Sequence, residues 1–295
     1  MASDHPPGPF ASHDQWLAVV GPWMDLVDDV VSLGINARSR NPRLFAPRAS
    51  SEAGAELAAE PEITGAWSSS PVRSIHSTVR FLLTSGEDAM AAYATLARSE
   101  RTPVFAHLAV ARSAVEALAK AAFLCSPGIG ATERLRRHLN FELESLWSRT
   151  KLTGEDTSGI AAQILEATAL GFETVERRRG LRQFSPAPDT VTATIKAVLG
   201  DEEGALFYGY TSSVAHGTNW GLMTVVGDGH RPSPGGLAEV DLEIRSEDYI
   251  SLVSPLLAAH LHTFTMYALY MGWDLRAYTA RWVRAAALIG TLIEE

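Results

Sequence analysis

Apolar residues recur every three or four positions along most of the chain, the spacing of one face of an α-helix. Start signals such as Ser70-Pro71 and stop signals such as Gly34 divide this pattern into segments. The predicted helices span residues 12–34, 71–98, 103–125, 133–150, 158–179, 189–200, 202–223, 247–272 and 275–293. The pattern therefore predicts an all-α fold, a multi-helix bundle.

Two stretches lack the helical period. Residues 35–70 mix Arg, Pro, Ser and Glu without a steady repeat, which predicts a long loop or linker. Residues 224–244 have a Gly/Pro centre between short alternating runs, which predicts a small β-hairpin. We therefore expect a single helical domain over 1–295, with an N-terminal helix at 12–34, the loop, and a main bundle at 71–295.

Composition narrows the class of protein and its partners. Among 295 residues, 46% are hydrophobic and 20% are charged, as in ordinary globular proteins. The net charge of -9 disfavours nucleic acid as a partner. The single cysteine, Cys125, excludes an internal disulfide and a Cys-based zinc site, and it suits a reducing compartment. Because the N-terminal residues do not resemble a signal peptide, we expect a cytoplasmic location.

The stretch 249–273 has no Lys, Arg, Asp or Glu and is long enough to span a bilayer. It also contains Pro255, His260 and His262, whose polar groups are costly in lipid. We interpret it as a buried core helix and expect no membrane partner.

Two groups of acidic or histidine residues suggest a metal and have simpler explanations. Asp25, Asp28 and Asp29 lie opposite the apolar stripe of their helix, as a solvated acidic face would. His138 and Glu142 lie one turn apart, a spacing that also arises often by chance. We assign no metal ligand, and the cofactor is unknown.

Other polar residues fall on faces that are otherwise apolar. Arg112 lies in the middle of such a face, with Glu116 one turn later, and Arg136 and His260 occupy similar positions on their helices. A buried arginine needs a carboxylate or an anionic ligand to neutralise it. Arg112 and Glu116 therefore either brace the bundle as a pair or form part of an anion-binding site.

The uncharged stretch "FYGYTSSVAHGTNWG", residues 207–221, gives two neighbouring stripes on a helical wheel. The predicted packing stripe contains Leu206, Tyr210, Ser213, Gly217 and Trp220, and the predicted polar ridge contains Tyr208, Ser212 and His216. The ridge either faces a cavity or ties down a neighbouring backbone.

Three segments, "ARSAVEALAKAAFL", "ERLRRHLNFELESLW" and "YTSSVAHGTNWGL", together resemble bacterial helical proteins of the DUF5677 type and related actinobacterial proteins. The resemblance covers roughly residues 100–225 and implies an all-helical fold with no settled chemistry. The matching positions are Arg112, Glu116, Arg136, Arg137, Ser212, His216 and Gly217.

Some such proteins are distantly similar to HEPN ribonucleases, whose signature is an arginine followed four to six residues later by histidine. Arg101 and His107 have a comparable spacing, whereas His216 has no arginine at that distance before it. This resemblance implies RNA cleavage. It is weakened at His216, where the arginine of the signature is missing.

These features favour a helical protein with an internal polar pocket for a small anionic molecule that carries phosphate or carboxylate, in one version an enzyme of specialised metabolism. The expected ligand-binding residues are Arg112, Arg136, Tyr208 and Ser212, and the expected acid–base residues are Glu116, His216 and His260. The alternatives are a HEPN-like RNase or defence protein, a non-catalytic binding or scaffold protein, and a diiron or magnesium-diphosphate enzyme. The substrate, the reaction and the oligomeric state stay open.

Overall fold

The fold is all-α, as the sequence predicts, with two small antiparallel hairpins. The computed structural model describes residues 12–40, 46–65, 68–100, 103, 105–154, 158–169, 171–176, 182–186, 190–218, 221, 226–232, 238–242, 245–276, 278–280, 282–283 and 286–287. The helices are α1 (His13–Arg40), α2 (Glu52–Ala58), α3 (Pro71–Ala97), α4 (Ala106–Cys125), α5 (Gly130–Thr153), α6 (Ser158–Ala169), α7 (Val191–Leu199), α8 (Asp201–Ala215) and α9 (Ser246–Met271), with a 3₁₀ turn at Glu60–Ile63. The strands are β1 (Thr174–Glu176), β2 (Arg182–Phe184), β3 (Val226–Pro232) and β4 (Ala238–Leu242).

Helix α4 lies at the centre of the bundle and packs against α3, α5, α7, α8 and α9. Its many alanines let neighbouring helices approach closely, since a small side chain keeps the backbones near one another. Gly86 of α3 shows how close this approach is, because a Cβ there would lie 2.7 Å from Cγ of Leu118. Thr263 of α9 donates a hydrogen bond to the carbonyl of the same Leu118 at 3.0 Å. Helix α4 is thus held from two sides at one point.

The connection between α1 and α3 is more ordered than the predicted loop at 35–70. Helix α1 continues to Arg40 because Gly34, expected to end it, stays helical at a cost of only about 1 kcal/mol. Helix α2 begins after Ser51, whose hydroxyl accepts the N–H of Gly54 at 3.1 Å. Helix α2 is only seven residues long, too short for its apolar spacing to predict it from the sequence.

Two other helices end earlier than predicted. Helix α6 stops at Ala169, and the next residues form the β1–β2 hairpin rather than further helical turns. The cause is tertiary, because both backbone groups of Phe184 bond to the side chain of Asn140 in α5. Helix α8 stops at Ala215, since Gly217 adopts a left-handed conformation with φ 60°.

The C-terminal part of the chain contains the predicted hairpin and the apolar helix. Strands β3 and β4 pair antiparallel within the stretch 224–244, as predicted. In the described part of the chain, α9 alone is long and apolar enough to cross a membrane, and 61% of its most apolar window is buried inside the protein. The predicted helix 275–293 lies partly outside the described residues, which are helical at 276, 278–280, 282–283 and 286–287.

A fully buried arginine joins the connection to the bundle. Arg134 of α5 has no exposed side-chain surface. Its guanidinium lies 3.1 Å from Glu56 and 2.7 Å from Glu52, both on α2. The same group donates to the carbonyls of Leu124 at 2.6 Å and Ser126 at 3.1 Å, at the end of α4.

Tyr270 of α9 completes this buried cluster. The guanidinium carbon of Arg134 lies 3.9 Å from the centroid of its ring. The hydroxyl of Tyr270 donates to Glu56 at 2.6 Å and lies 3.0 Å from Nε2 of His76 on α3. Burial, followed by the nearby Arg134, lowers the pKa of His76 to about 4. The cluster therefore joins α2, α3, α4, α5 and α9.

We predict that Arg134→Met lowers the free energy of unfolding by roughly 3–5 kcal/mol, because Glu56 is left buried without its partner. Urea unfolding followed by circular dichroism measures this change. Arg80→Met, at an exposed position of α3, is the control and should stay within about 0.5 kcal/mol of wild type. Equal effects of the two substitutions would contradict the prediction.

Candidate functional site

One edge of α4 carries a row of charged side chains at the surface of the bundle. Arg112, Glu116 and Lys120 are spaced four residues apart and are all half-buried. This spacing places them on one side of the helix, one turn after another. We refer to these three residues as the α4 ridge.

Arg112 and Glu116 form the intrahelical pair that the sequence suggests. Nε of Arg112 lies 2.6 Å from Oε1 of Glu116, and the two side chains keep 17% and 22% of their exposure. The guanidinium carbon lies 5.0 Å from the centroid of the Tyr208 ring on α8. The terminal nitrogens Nη1 and Nη2 have no hydrogen-bond partner among the described residues. Glu116 and Tyr208 thus orient the guanidinium of Arg112, while its Nη1 and Nη2 stay available as donors.

The predicted polar ridge of α8 meets the α4 ridge at Tyr208. Tyr208 and Ser212 are half-buried, and His216 is exposed just beyond the last helical residue. In the part of the chain that the structure describes, the Ser212 hydroxyl and the His216 ring form no hydrogen bond to a neighbouring backbone. Among the described residues, these two side chains therefore do not anchor a neighbouring backbone.

The predicted packing stripe of α8 is wrong. Leu206 is 68% exposed, and Gly217 lies outside the helix. The buried residues are instead Gly204, Phe207, Thr211 and Val214. Close packing does occur at Gly221, where a Cβ would lie 2.5 Å from the backbone of Ser213. Because the stretch has no charged residues, its sequence does not indicate which side of the helix is buried. Packing against α4 and α7 determines the buried side instead.

Arg136 is not part of an open pocket, contrary to expectation. Its Nε and Nη2 each lie 2.6 Å from an oxygen of Glu133, one turn earlier on α5. Its Nη1 donates to the carbonyls of Phe184 and Pro186, next to β2. The bonds to the two carbonyls hold the β1–β2 hairpin on α5. The bonds to Glu133, from Arg136 first and then from Arg137, lower the pKa of that carboxyl. Arg136 is buried, as its place on the helix face predicts, but its partners come from the protein itself.

His260 lies in the core, far from open solvent. Its Nε2 is 3.1 Å from Glu87 of α3, and its Nδ1 is 2.9 Å from the hydroxyl of Tyr278. Both His260 and Glu87 have no exposed side-chain surface. Burial raises the pKa of Tyr278. Glu87 is not among the residues predicted from the sequence, although it interrupts the apolar face of α3 in the way Arg112 interrupts that of α4.

The histidine of the HEPN-like spacing is also buried. His107 is 1% exposed, and its ring stacks on Tyr249 with 4.0 Å between centroids. Its possible partner Arg101 lies outside the described residues. A bound RNA strand could not reach the His107 ring in this arrangement. Of the two histidines compared with the HEPN signature, only His216 is exposed to solvent.

The described residues contain no group of three His, Cys, Asp or Glu side chains arranged to hold a metal. Nε2 of His138 lies 2.9 Å from the Thr78 hydroxyl and 3.7 Å from Glu142. Burial lowers the pKa of His138 to about 4 and raises that of Glu142. His138 therefore contacts α3 as a neutral ring.

Arg137, one of the positions that carry the family resemblance, lies against the end of α4. Its guanidinium carbon is 4.1 Å from the centroid of Phe123, and its side chain is 18% exposed. Nε donates to Glu133 at 2.8 Å, and Nη1 donates to the carbonyl of Phe123 at 2.7 Å. An aromatic ring from another helix therefore covers this guanidinium.

Comparison with models of protein families, with curated proteins and with solved structures finds no match to this chain. The resemblance to DUF5677-type and HEPN proteins stays a prediction. The candidate site therefore depends on its geometry alone.

We predict that His138 makes the protein less stable in mild acid. Its pKa is 6.5 in the unfolded chain and about 4 in the folded one, so between these two pH values mainly the unfolded chain binds this proton. The free energy of unfolding should therefore fall as the pH drops through this window. His138→Gln removes the titrating group and should reduce that fall, on the order of 1–3 kcal/mol between about pH 7 and 4.5.

Urea unfolding at a series of pH values measures both curves. His13→Gln, at a half-buried position of α1, is the control that keeps the wild-type slope. Parallel curves for wild type and H138Q would show that the ring titrates alike in both states.

Proposed function

We propose that the protein binds a small anion that carries a phosphate or carboxylate group, at Arg112 between α4 and α8. The observation that supports this proposal is the open side of the Arg112 guanidinium. Its Nε is occupied by Glu116 at 2.6 Å, while Nη1 and Nη2 have no partner within the described ranges. These two nitrogens are the donors that a phosphate or carboxylate accepts from arginine in a bidentate contact.

The neighbours of Arg112 favour a bound anion over a merely solvated side chain. Glu116 fixes the guanidinium from one side, and the Tyr208 ring supports it at 5.0 Å. Both contacts restrict the rotation of a long side chain, so less conformational entropy is lost when a ligand binds. The half-buried Ser212, one helical turn after Tyr208, adds a hydroxyl donor to the same side of α8.

The proposed site is smaller than the set expected from sequence. Arg136 and His260 leave it, because their polar atoms bond to protein groups elsewhere. Glu116 acts as a positioning residue for Arg112 rather than as an acid or base. The exposed His216 lies two turns after Tyr208 along the α8 direction and stays outside the proposed contacts.

We predict that Arg112→Lys raises the Kd for inorganic phosphate about tenfold, because lysine keeps the charge and loses the fork of donors. Isothermal titration calorimetry of the full chain with phosphate, and separately with acetate, measures the change. Arg80→Lys on the exposed side of α3 is the matched control and should bind like wild type.

The scaffold alternative gives a different result in the same experiment. If the Arg112–Glu116 pair only braces the bundle, wild type and R112K bind phosphate and acetate equally weakly. In that case Arg112→Leu combined with Glu116→Met should keep or raise stability, since a paired charge is replaced by apolar contact. Equal affinities would therefore overturn the proposed function.

A further inference from the structure

The hydroxyl of Tyr278 belongs to a chain of three buried side chains that the Arg112 site does not use. Tyr278 follows the end of α9, and its hydroxyl lies 2.9 Å from Nδ1 of His260. Nε2 of His260 lies 3.1 Å from Oε1 of Glu87 on α3. Glu87 and His260 have no exposed side-chain surface, and Tyr278 is 9% exposed. A phenol, an imidazole and a carboxyl group are thus joined in series away from solvent.

The order of these groups determines where the protons lie. An ionised carboxylate only accepts hydrogen bonds, so the proton of the neutral imidazole is assigned to Nε2, which donates to Glu87. Nδ1 then keeps its lone pair and accepts the hydrogen bond from the phenol of Tyr278. Burial raises the pKa of Tyr278, which keeps the phenol protonated in the resting protein. The proton of Tyr278 therefore points at a base.

We infer that Tyr278 is a redox-active tyrosine, which gives one electron to a one-electron oxidant at the surface while its phenolic proton moves to Nδ1 of His260. The O–H bond of the phenol breaks and an N–H bond forms, so the products are a neutral tyrosyl radical, an imidazolium and the reduced oxidant. The three side chains carry one negative charge before this step, on Glu87, and no net charge after it. Since Glu87 pairs with the new imidazolium, the step creates no isolated charge in the core.

Two other buried tyrosines donate to groups that cannot take their proton. The phenols of Tyr93 and Tyr249 donate to backbone carbonyls. A carbonyl oxygen accepts a hydrogen bond but is far too weak a base to be protonated near neutral pH. Imidazole, in contrast, gains and loses a proton in this range. Loss of an electron is therefore coupled to loss of the proton at Tyr278 and not at Tyr93 or Tyr249.

Tyr270 has a base beside it but also a cation over its ring. Its hydroxyl donates to the carboxylate of Glu56 at 2.6 Å. The guanidinium carbon of Arg134 lies 3.9 Å from the centroid of the ring, and a positive charge at that distance opposes the loss of an electron. The ring of Tyr278 stacks on Phe264 instead, with 4.1 Å between centroids. An uncharged neighbour of this kind does not oppose oxidation.

Tyr278 lies close to the surface, although its side chain is shielded from solvent. The next two residues, Thr279 and Ala280, are exposed. The ring of Trp282 approaches that of Tyr278 edge-on, with 6.3 Å between centroids. Because electrons tunnel over distances of several ångströms through protein, an oxidant at the surface need not touch the phenol. The same shielding prevents the radical from coupling with a second molecule.

The test is oxidation of the full chain by tris(bipyridine)ruthenium(III), generated by a laser flash with hexaammineruthenium(III) as electron acceptor. Wild type should form a tyrosyl radical, followed by its absorption and, after freezing, by electron paramagnetic resonance. Tyr278→Phe should remove most of this radical. His260→Gln keeps a polar side chain and removes the base, so it should slow radical formation about a hundredfold. Tyr210→Phe, at a half-buried tyrosine of α8, is the matched control with wild-type yield and rate.

A second measurement needs no variant. Radical formation in wild type should be slower in D₂O than in H₂O, because the proton moves together with the electron. Circular dichroism shows which variants are folded. Three results would each overturn the inference: wild-type radical yield in Y278F, wild-type rate in folded H260Q, or equal wild-type rates in H₂O and D₂O. None of them affects the Arg112 proposal, which is tested with phosphate and R112K.

Discussion

The buried charge of Arg134 is the constraint on which the packing of the bundle depends. A guanidinium without any exposed surface is tolerable only when each of its three nitrogens has a partner, because the desolvation cost exceeds what one ion pair returns. Its partners come from α2, from the end of α4 and from α9. The segment before α3 must therefore fold back onto α5, and a stretch that looks like a linker becomes part of the core.

The same constraint links the core to the candidate site. Arg134 bonds to the carbonyls of Leu124 and Ser126, and so ties the beginning of α5 to the end of α4. Three residues later on α5, Arg137 lies against Phe123 of α4. The α4 ridge thus lies on a helix that packs against α3, α5, α7, α8 and α9, which gives a rigid base for the contacts proposed at Arg112.

Sequence reasoning succeeded where the signal is local and failed where partners are distant. The period of apolar residues gave α3 within one residue, because a long amphipathic helix carries its own evidence. Helix faces also showed that Arg136 and His260 point inward. Their hydrogen-bond partners could not be predicted, because those partners are distant in the sequence. His260 bonds to Glu87, 173 positions away, and Arg136 bonds to the carbonyl of Phe184, 48 positions away. A helical wheel gives the direction of a side chain and does not give the residues that the side chain contacts.

Burial of a charged residue is therefore a poor guide to function by itself. Arg134 and Arg136 are the most buried arginines of the described residues, and their donors are occupied by protein carboxylates and carbonyls. Arg112 and Lys120 are only half-buried, and each keeps donors that no described group accepts. A half-buried cation has lost part of its hydration, and protein groups have not fully replaced the lost water. An external anion therefore gains the most binding free energy at such a cation. The incomplete sets of partners on α4, rather than the deepest charges, are therefore the reason for placing the proposed ligand at Arg112.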